Sequence, residues 1–112
     1  MTVVTINPSA SSHDAWQTGS GVMTLTDEIK LTAGTSWAGL FLPAVPVGSA
    51  DTINSATLYY KAYSTTRDDP DIVWYAEDTD DAAVFTTFAS NITNRTTTTA
   101  SVTDTATGIG TT

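Results

Sequence analysis

Between residues 53 and 63 the chain alternates strictly. Ala56, Leu58, Tyr60 and Ala62 share one side, and Thr57, Tyr59, Lys61 and Tyr63 share the other. A period of two sends successive side chains to opposite faces of a strand and cannot build one apolar stripe along a helix. The face with Leu58 and Tyr60 carries no charge, so it is the expected core face. Shorter runs at 22–26 and 29–32 alternate as well, and 3–6, 72–76 and 100–103 also read as strands. Turn residues separate them, among them Asn7-Pro8-Ser9, Gly19-Ser20-Gly21 and Ala33-Gly34. Residues 37–42 form an apolar run closed by Pro43, and two prolines make 43–48 an edge segment or a connection. Residues 91–93 read as a short strand or turn, and residues 9–21 as a loop around Trp16.

About a fifth of the chain is threonine, and Glu, Gln, Lys and Arg are scarce. Threonine is branched at Cβ and polar, which suits the solvated face of a strand. Roughly seven or eight short strands with turns every 8 to 12 residues are the pattern of a sandwich or jelly roll. The expected fold is therefore all-β: a single antiparallel β-sandwich, jelly-roll-like, over residues 1–104. Residues 105–112 are expected to be a polar tail or the start of a linker to a further C-terminal portion. Trp37, Leu58, Tyr60 and Trp74 are the expected core. In the strand at 72–76, Ile72 and Trp74 face one way and Val73 and Tyr75 the other, so it reads as covered on both sides, or on one side by a loop. Phe85, with Val84 and Phe88, is expected to pin the long connection 77–90.

Charge narrows the partners. The net charge is −8, and the four basic residues, Lys30, Lys61, Arg67 and Arg95, are scattered. No cationic stripe exists for a nucleic acid or an anionic membrane surface, so neither is expected as a partner. No apolar run approaches the ~20 residues of a membrane-spanning helix. The N-terminus lacks the basic and apolar regions of a signal peptide. With no cysteine and one histidine, a tetrahedral zinc site is short of ligands.

Seven of the twelve carboxylates lie between residues 68 and 85. Asp69 and Asp71, and Asp78, Asp80 and Asp81, space carboxylates so that a loop could turn them towards one hard cation. Asp78, Asp80 and Asp81 are the candidate calcium ligands. The loop is not an EF-hand, because a loop begun at Asp78 has Ala83 at its sixth position and Ala89 at its twelfth. A simpler account is a solvated acidic loop whose aspartates bond nearby backbone amides. A glycosidase pair of Glu77 with a neighbouring aspartate would need a cleft between two carboxyls, and nothing else in the sequence builds one. His13 lies between Ser12 and Asp14, which a strand would point away from it, so no triad is expected and His13 reads as a surface loop residue. No catalytic residue is assigned. Arg95 is expected to pair with Glu77 or Asp78 and hold the long connection. Tyr59, Tyr63, Tyr75 and Trp16 are candidates for stacking on sugar rings; burial under a loop or at a subunit interface is the competing account. The sequons at Asn91 and Asn94 would matter only in a eukaryotic secretory pathway.

The series INSATLYYKAY, DDPDIVWYAEDTDDAAVFTT and NITNRTTTTASV resembles a recurring series in DNRLRE-like, carbohydrate-binding-module-like jelly-roll domains. SSHDAWQTGSGV resembles the N-terminal segment of the same group, so the likeness runs over about residues 9–103. Such domains occur in bacterial surface proteins and in virion proteins of tailed phages. The resemblance implies a non-catalytic structural module of a phage virion, as capsid decoration or tail- or fibre-associated protein, or of a similar extracellular assembly. The alternative is a carbohydrate-binding or adhesion module of a bacterial surface protein. The name-giving sequence is absent, and related chains continue past TTASV into a tryptophan and a further strand. An open sheet edge and association with protein subunits, as a homo-oligomer or virion lattice, are therefore expected.

Overall fold

The computed structural model describes residues 2–25, 29, 36–60 and 72–104. Among them the chain is all-β, without a helix. Three strands, β1 (Asp14–Thr18), β2 (Met23–Thr24) and β3 (Ser36–Leu40), form an antiparallel sheet in the order β2-β1-β3. Two more, β4 (Ile72–Glu77) and β5 (Thr97–Asp104), pair with each other. The chain divides into two compact units, one of residues 1–46 and 77–98 and one of residues 47–76 and 99–112.

The first unit is organised by β1. Residues 18–22 turn it back into β2: Gly21 N–H donates to the Thr18 carbonyl at 2.9 Å, and Thr18 N–H to the Val22 carbonyl at 3.0 Å. Gly21 has φ +88°, a conformation open to glycine and costly for other residues. The turn expected at Gly19-Ser20-Gly21 is thus present. The loop expected around Trp16 is instead the central strand of the sheet, because β3 supplies it with a full ladder from Asp14↔Leu40 to Thr18↔Ser36.

The register fixes what each face carries. Directly opposed residues share a face in an antiparallel ladder. Ala15 opposes Gly39, and Gln17 opposes both Met23 and Trp37. Ala15, Gly39, Gln17 and Met23 are all buried. The opposite face carries Asp14, Trp16, Ala38 and Leu40, all half-buried. The core face is therefore made by the small and polar residues of β1, and Trp16 is on the other side.

Ala15 and Gly39 leave a low floor in that face, and Phe85 occupies it. A Cβ built on Gly39 would collide with the Phe85 ring. Phe85, Ala15 and Met23 are the buried apolar cluster, with Leu25, Phe41 and Ile92 packed around it. The backbone of Phe85 is fixed too, its N–H donating to the Ser12 carbonyl at 2.9 Å. The Phe41 N–H donates to the adjacent His13 carbonyl at 2.7 Å. The expected role of Phe85 as anchor of the 77–90 connection agrees with this placement, whereas Phe88 and Val84 are exposed.

Several expectations do not hold. Residues 3–6 form no strand. Residues 53–60 form none either, and Leu58 and Tyr60, expected in the core, are exposed. Alternation states which side could be buried, but a strand also needs a hydrogen-bonding neighbour, and among the described residues this segment has none. Tyr60 does keep one local contact, its ring lying 5.6 Å from that of Trp74. Trp37, also expected in the core, is 43% exposed, because Phe85 fills the floor at Gly39 rather than the end of the strand. Trp74 is half-buried, with an indole N–H that has no acceptor among the described residues. Val73 and Tyr75 on β4 are exposed, so the strand is not covered on both faces. Residues 91–93, expected as a short strand or turn, are turn. Residues 61–63 of the alternating run, most of 29–32 and the tail 105–112 lie outside the described residues.

Filling the floor is expected to be harmful although it adds apolar volume. Gly39→Ala should destabilise the chain by about 1–3 kcal/mol, the usual range for overpacking. Phe85→Ala should cost about 3–5 kcal/mol, as for other buried aromatics. Urea unfolding followed by tryptophan fluorescence measures both, and an unchanged midpoint for Gly39→Ala would contradict the packing described.

Candidate functional site

The most developed side-chain constellation is built on residues 88–95. Their backbone coils tightly: Asn94 N–H donates to the Ser90 carbonyl at 2.9 Å and Arg95 N–H to that of Ile92 at 3.1 Å. Ser90 sits at φ 60°, and its N–H donates to the Gly21 carbonyl at 2.8 Å. A side chain on Gly21 would meet Ser90 Oγ, so two backbones approach closely here.

Two long polar side chains hold this coil. Gln17 is 2% exposed. Its Oε1 accepts from Ile92 N–H at 3.0 Å and Thr93 N–H at 3.1 Å. Its Nε2 donates to Thr93 Oγ1 at 2.9 Å. A buried amide satisfied in this way avoids the desolvation penalty of an unpaired polar group.

Arg95 holds the other side. Its Nη1 donates to Glu77 Oε2 at 2.7 Å and to the Ala83 carbonyl at 2.7 Å. Its Nη2 donates to the Val84 carbonyl at 3.1 Å and Asn91 Oδ1 at 3.2 Å. Its Nε donates to the Asn91 carbonyl at 2.9 Å. A guanidinium has five N–H donors, and each has an acceptor here. Its Cζ also lies 4.3 Å from the centroid of the Phe85 ring, a cation–π distance. Asn91 Oδ1 is shared, accepting the Thr86 N–H at 3.0 Å as well. Of the two partners expected for Arg95, Glu77 is the one it meets; Asp78 instead donates its backbone N–H to the Thr96 carbonyl at 2.8 Å.

The remaining expected site residues are dispersed. Asp78, Asp80 and Asp81 are exposed at the end of β4, and the Asp81 N–H donates to Thr79 Oγ1 at 3.4 Å. Among the described residues no group of three or more His, Asp or Glu is arranged to hold a metal ion. Tyr59 is 89% exposed and Tyr75 is exposed, whereas Trp16 is half-buried on β1; Tyr63, Asp69 and Asp71 lie outside the described residues. His13 is half-buried, its ring 5.1 Å from that of Phe41 and its Nδ1 3.3 Å from the Ser9 N–H. Gln17 is the residue that sequence reasoning missed. A lone glutamine in a segment without apolar periodicity carries no signal of burial.

No protein family, curated protein or solved structure matches the chain. No helix among the described residues is long and apolar enough to cross a membrane.

The geometry makes Arg95 a fork that a single ammonium cannot replace. Arg95→Ala should cost about 2–4 kcal/mol, between the values for one charged hydrogen bond and a broken buried pair. Arg95→Lys should recover less than half of that loss, and Glu77→Gln, which keeps an acceptor, should be milder than either. Chemical unfolding of the three variants tests this ranking. For the acidic loop, the solvated account predicts that millimolar calcium leaves the melting temperature within experimental scatter. A rise that disappears in Asp78→Asn and Asp80→Asn would establish the calcium account instead.

Proposed function

We propose that the chain is a non-catalytic structural module of an assembled particle, a phage virion or a similar extracellular assembly. The observation that carries this reading is the apolar surface of the second unit. Val73 and Tyr75 of β4 and Val102 of β5 are exposed, Val102 at 68%. Apolar side chains standing out from paired strands lose free energy of about 25 cal/mol per Å² while they stay in water. A subunit contact removes that cost. The polar constellation supports the same reading, because the five N–H donors of Arg95 are all spent on internal acceptors. In this reading the two sheets belong to a single jelly-roll-like sandwich, in keeping with the resemblance to DNRLRE-like domains, and its open edges pair with neighbouring subunits. The charge of −8 favours protein over nucleic acid or anionic membrane as partner.

One observation favours the second reading, a carbohydrate-binding or adhesion module. A tyrosine with nearly all its surface in water, as Tyr59 has, offers an apolar ring face to a sugar.

Sedimentation velocity over a range of protein and salt concentrations separates the two. Assembly should strengthen with protein concentration and with salt, which screens the like charges of identical copies. Tyr75→Asp and Val102→Asp should abolish it while leaving the melting temperature of the first unit's core unchanged. A monomer under every condition, together with glycan-array binding lost in Tyr59→Ala, would replace the structural reading with the carbohydrate one.

A further inference from the structure

The contact between Gln17 and Thr93 has a chemistry beyond its hydrogen bonds. The carboxamide oxygen of Gln17 is held by two backbone N–H groups, of Ile92 at 3.0 Å and Thr93 at 3.1 Å. Two backbone donors aimed at one carbonyl oxygen are the arrangement that stabilises an oxyanion during acyl transfer. On the other side of the same carboxamide, 2.9 Å from its nitrogen, lies the hydroxyl oxygen of Thr93. An electrophile, its oxyanion donors and a nucleophile thus meet at one buried amide. The two residues are 76 positions apart in the chain, so only the fold brings them together.

We propose that Gln17 and Thr93 close an intramolecular ester. Thr93 Oγ1 attacks Gln17 Cδ, and the carbonyl π electrons move onto Oε1, where the two N–H groups receive the charge. The tetrahedral intermediate collapses by breaking the Cδ–Nε2 bond. The Thr93 hydroxyl proton leaves with that nitrogen, and the products are a Gln17–Thr93 ester and one molecule of ammonia. No oxidant, reductant or cofactor is consumed. Attack requires Oγ1 to move from the nitrogen to a position over Cδ, perpendicular to the carboxamide plane. Once Oγ1 stands over Cδ, fixed juxtaposition is equivalent to about 10⁵–10⁸ M of reactant, and an oxyanion donor adds about 10²–10³-fold. Among the described residues no strong base is hydrogen-bonded to the Thr93 hydroxyl, so closure is slow and gradual. The ester would tie β1 to the 88–95 coil covalently in a chain that has no cysteine for a disulfide.

Intact-mass spectrometry of the purified full chain, followed over days of incubation at neutral to mildly alkaline pH, tests the proposal. The expected result is loss of one ammonia per chain. Fragmentation should locate it as a peptide containing Gln17 joined to one containing Thr93, and hydroxylamine should cleave the joint. Thr93→Ser should retain the loss, and Thr93→Val should abolish it. An intact mass that stays at the encoded value throughout overturns the proposal. So does an ammonia loss that maps elsewhere, for example to an asparagine-derived succinimide. Either result is read from the wild-type chain and does not depend on a variant folding.

Discussion

The first unit depends on one aromatic ring and the two surfaces that enclose it. Phe85 lies against a floor that exists only because Ala15 and Gly39 stand opposite each other in the β1–β3 ladder. Over the ring sits the Arg95 guanidinium, 4.3 Å from its centre. Each layer requires the others. A larger residue at position 39 has no room beneath the ring, and without the ring the guanidinium loses the surface it is held against. The backbone bond from Phe85 N–H to the Ser12 carbonyl sets the height of the ring over the sheet.

Polar groups do much of the holding here. The buried apolar cluster has only three members, Ala15, Met23 and Phe85, among the described residues. Gln17 and Arg95 both converge on the coil at 88–95, which presents them with backbone N–H groups on one side and carbonyls on the other. Such networks are favourable when complete and costly when half-made. That asymmetry gives the unit its specificity: a displaced coil would strand a buried amide and a cation together, a penalty far larger than the loss of a few van der Waals contacts.

The sequence was informative where a residue's chemistry leaves few choices. Arg95 is a cation within reach of a dense run of carboxylates, and it meets Glu77; Phe85 closes that run and reaches the core; the apolar run at 72–76 is a strand. It misled where burial depends on absence. β1 buries Ala15 and Gln17, so hydrophobic periodicity has nothing to detect, and Trp16 drew attention to the opposite face. β3 buries a glycine rather than its tryptophan for the same reason. Residues 53–60 failed in the opposite sense: their alternation is strong, but pairing is a long-range property that one segment cannot encode.

The candidate site also changed meaning once the guanidinium was placed. An arginine beside clustered acids invites a role in binding an anion or orienting a carboxylate for chemistry. Both need a free donor or a free face. All five N–H groups of Arg95 are occupied and one face of its plane is covered by Phe85, so an incoming anion would have to displace an internal acceptor and leave it unpaired. Glu77 is likewise engaged, its Oε2 accepting from Arg95 at 2.7 Å. Asp78, Asp80 and Asp81, and Val73, Tyr75 and Val102 of β4 and β5, are among the side chains left in water. The polar interior of the first unit is committed to holding its own shape.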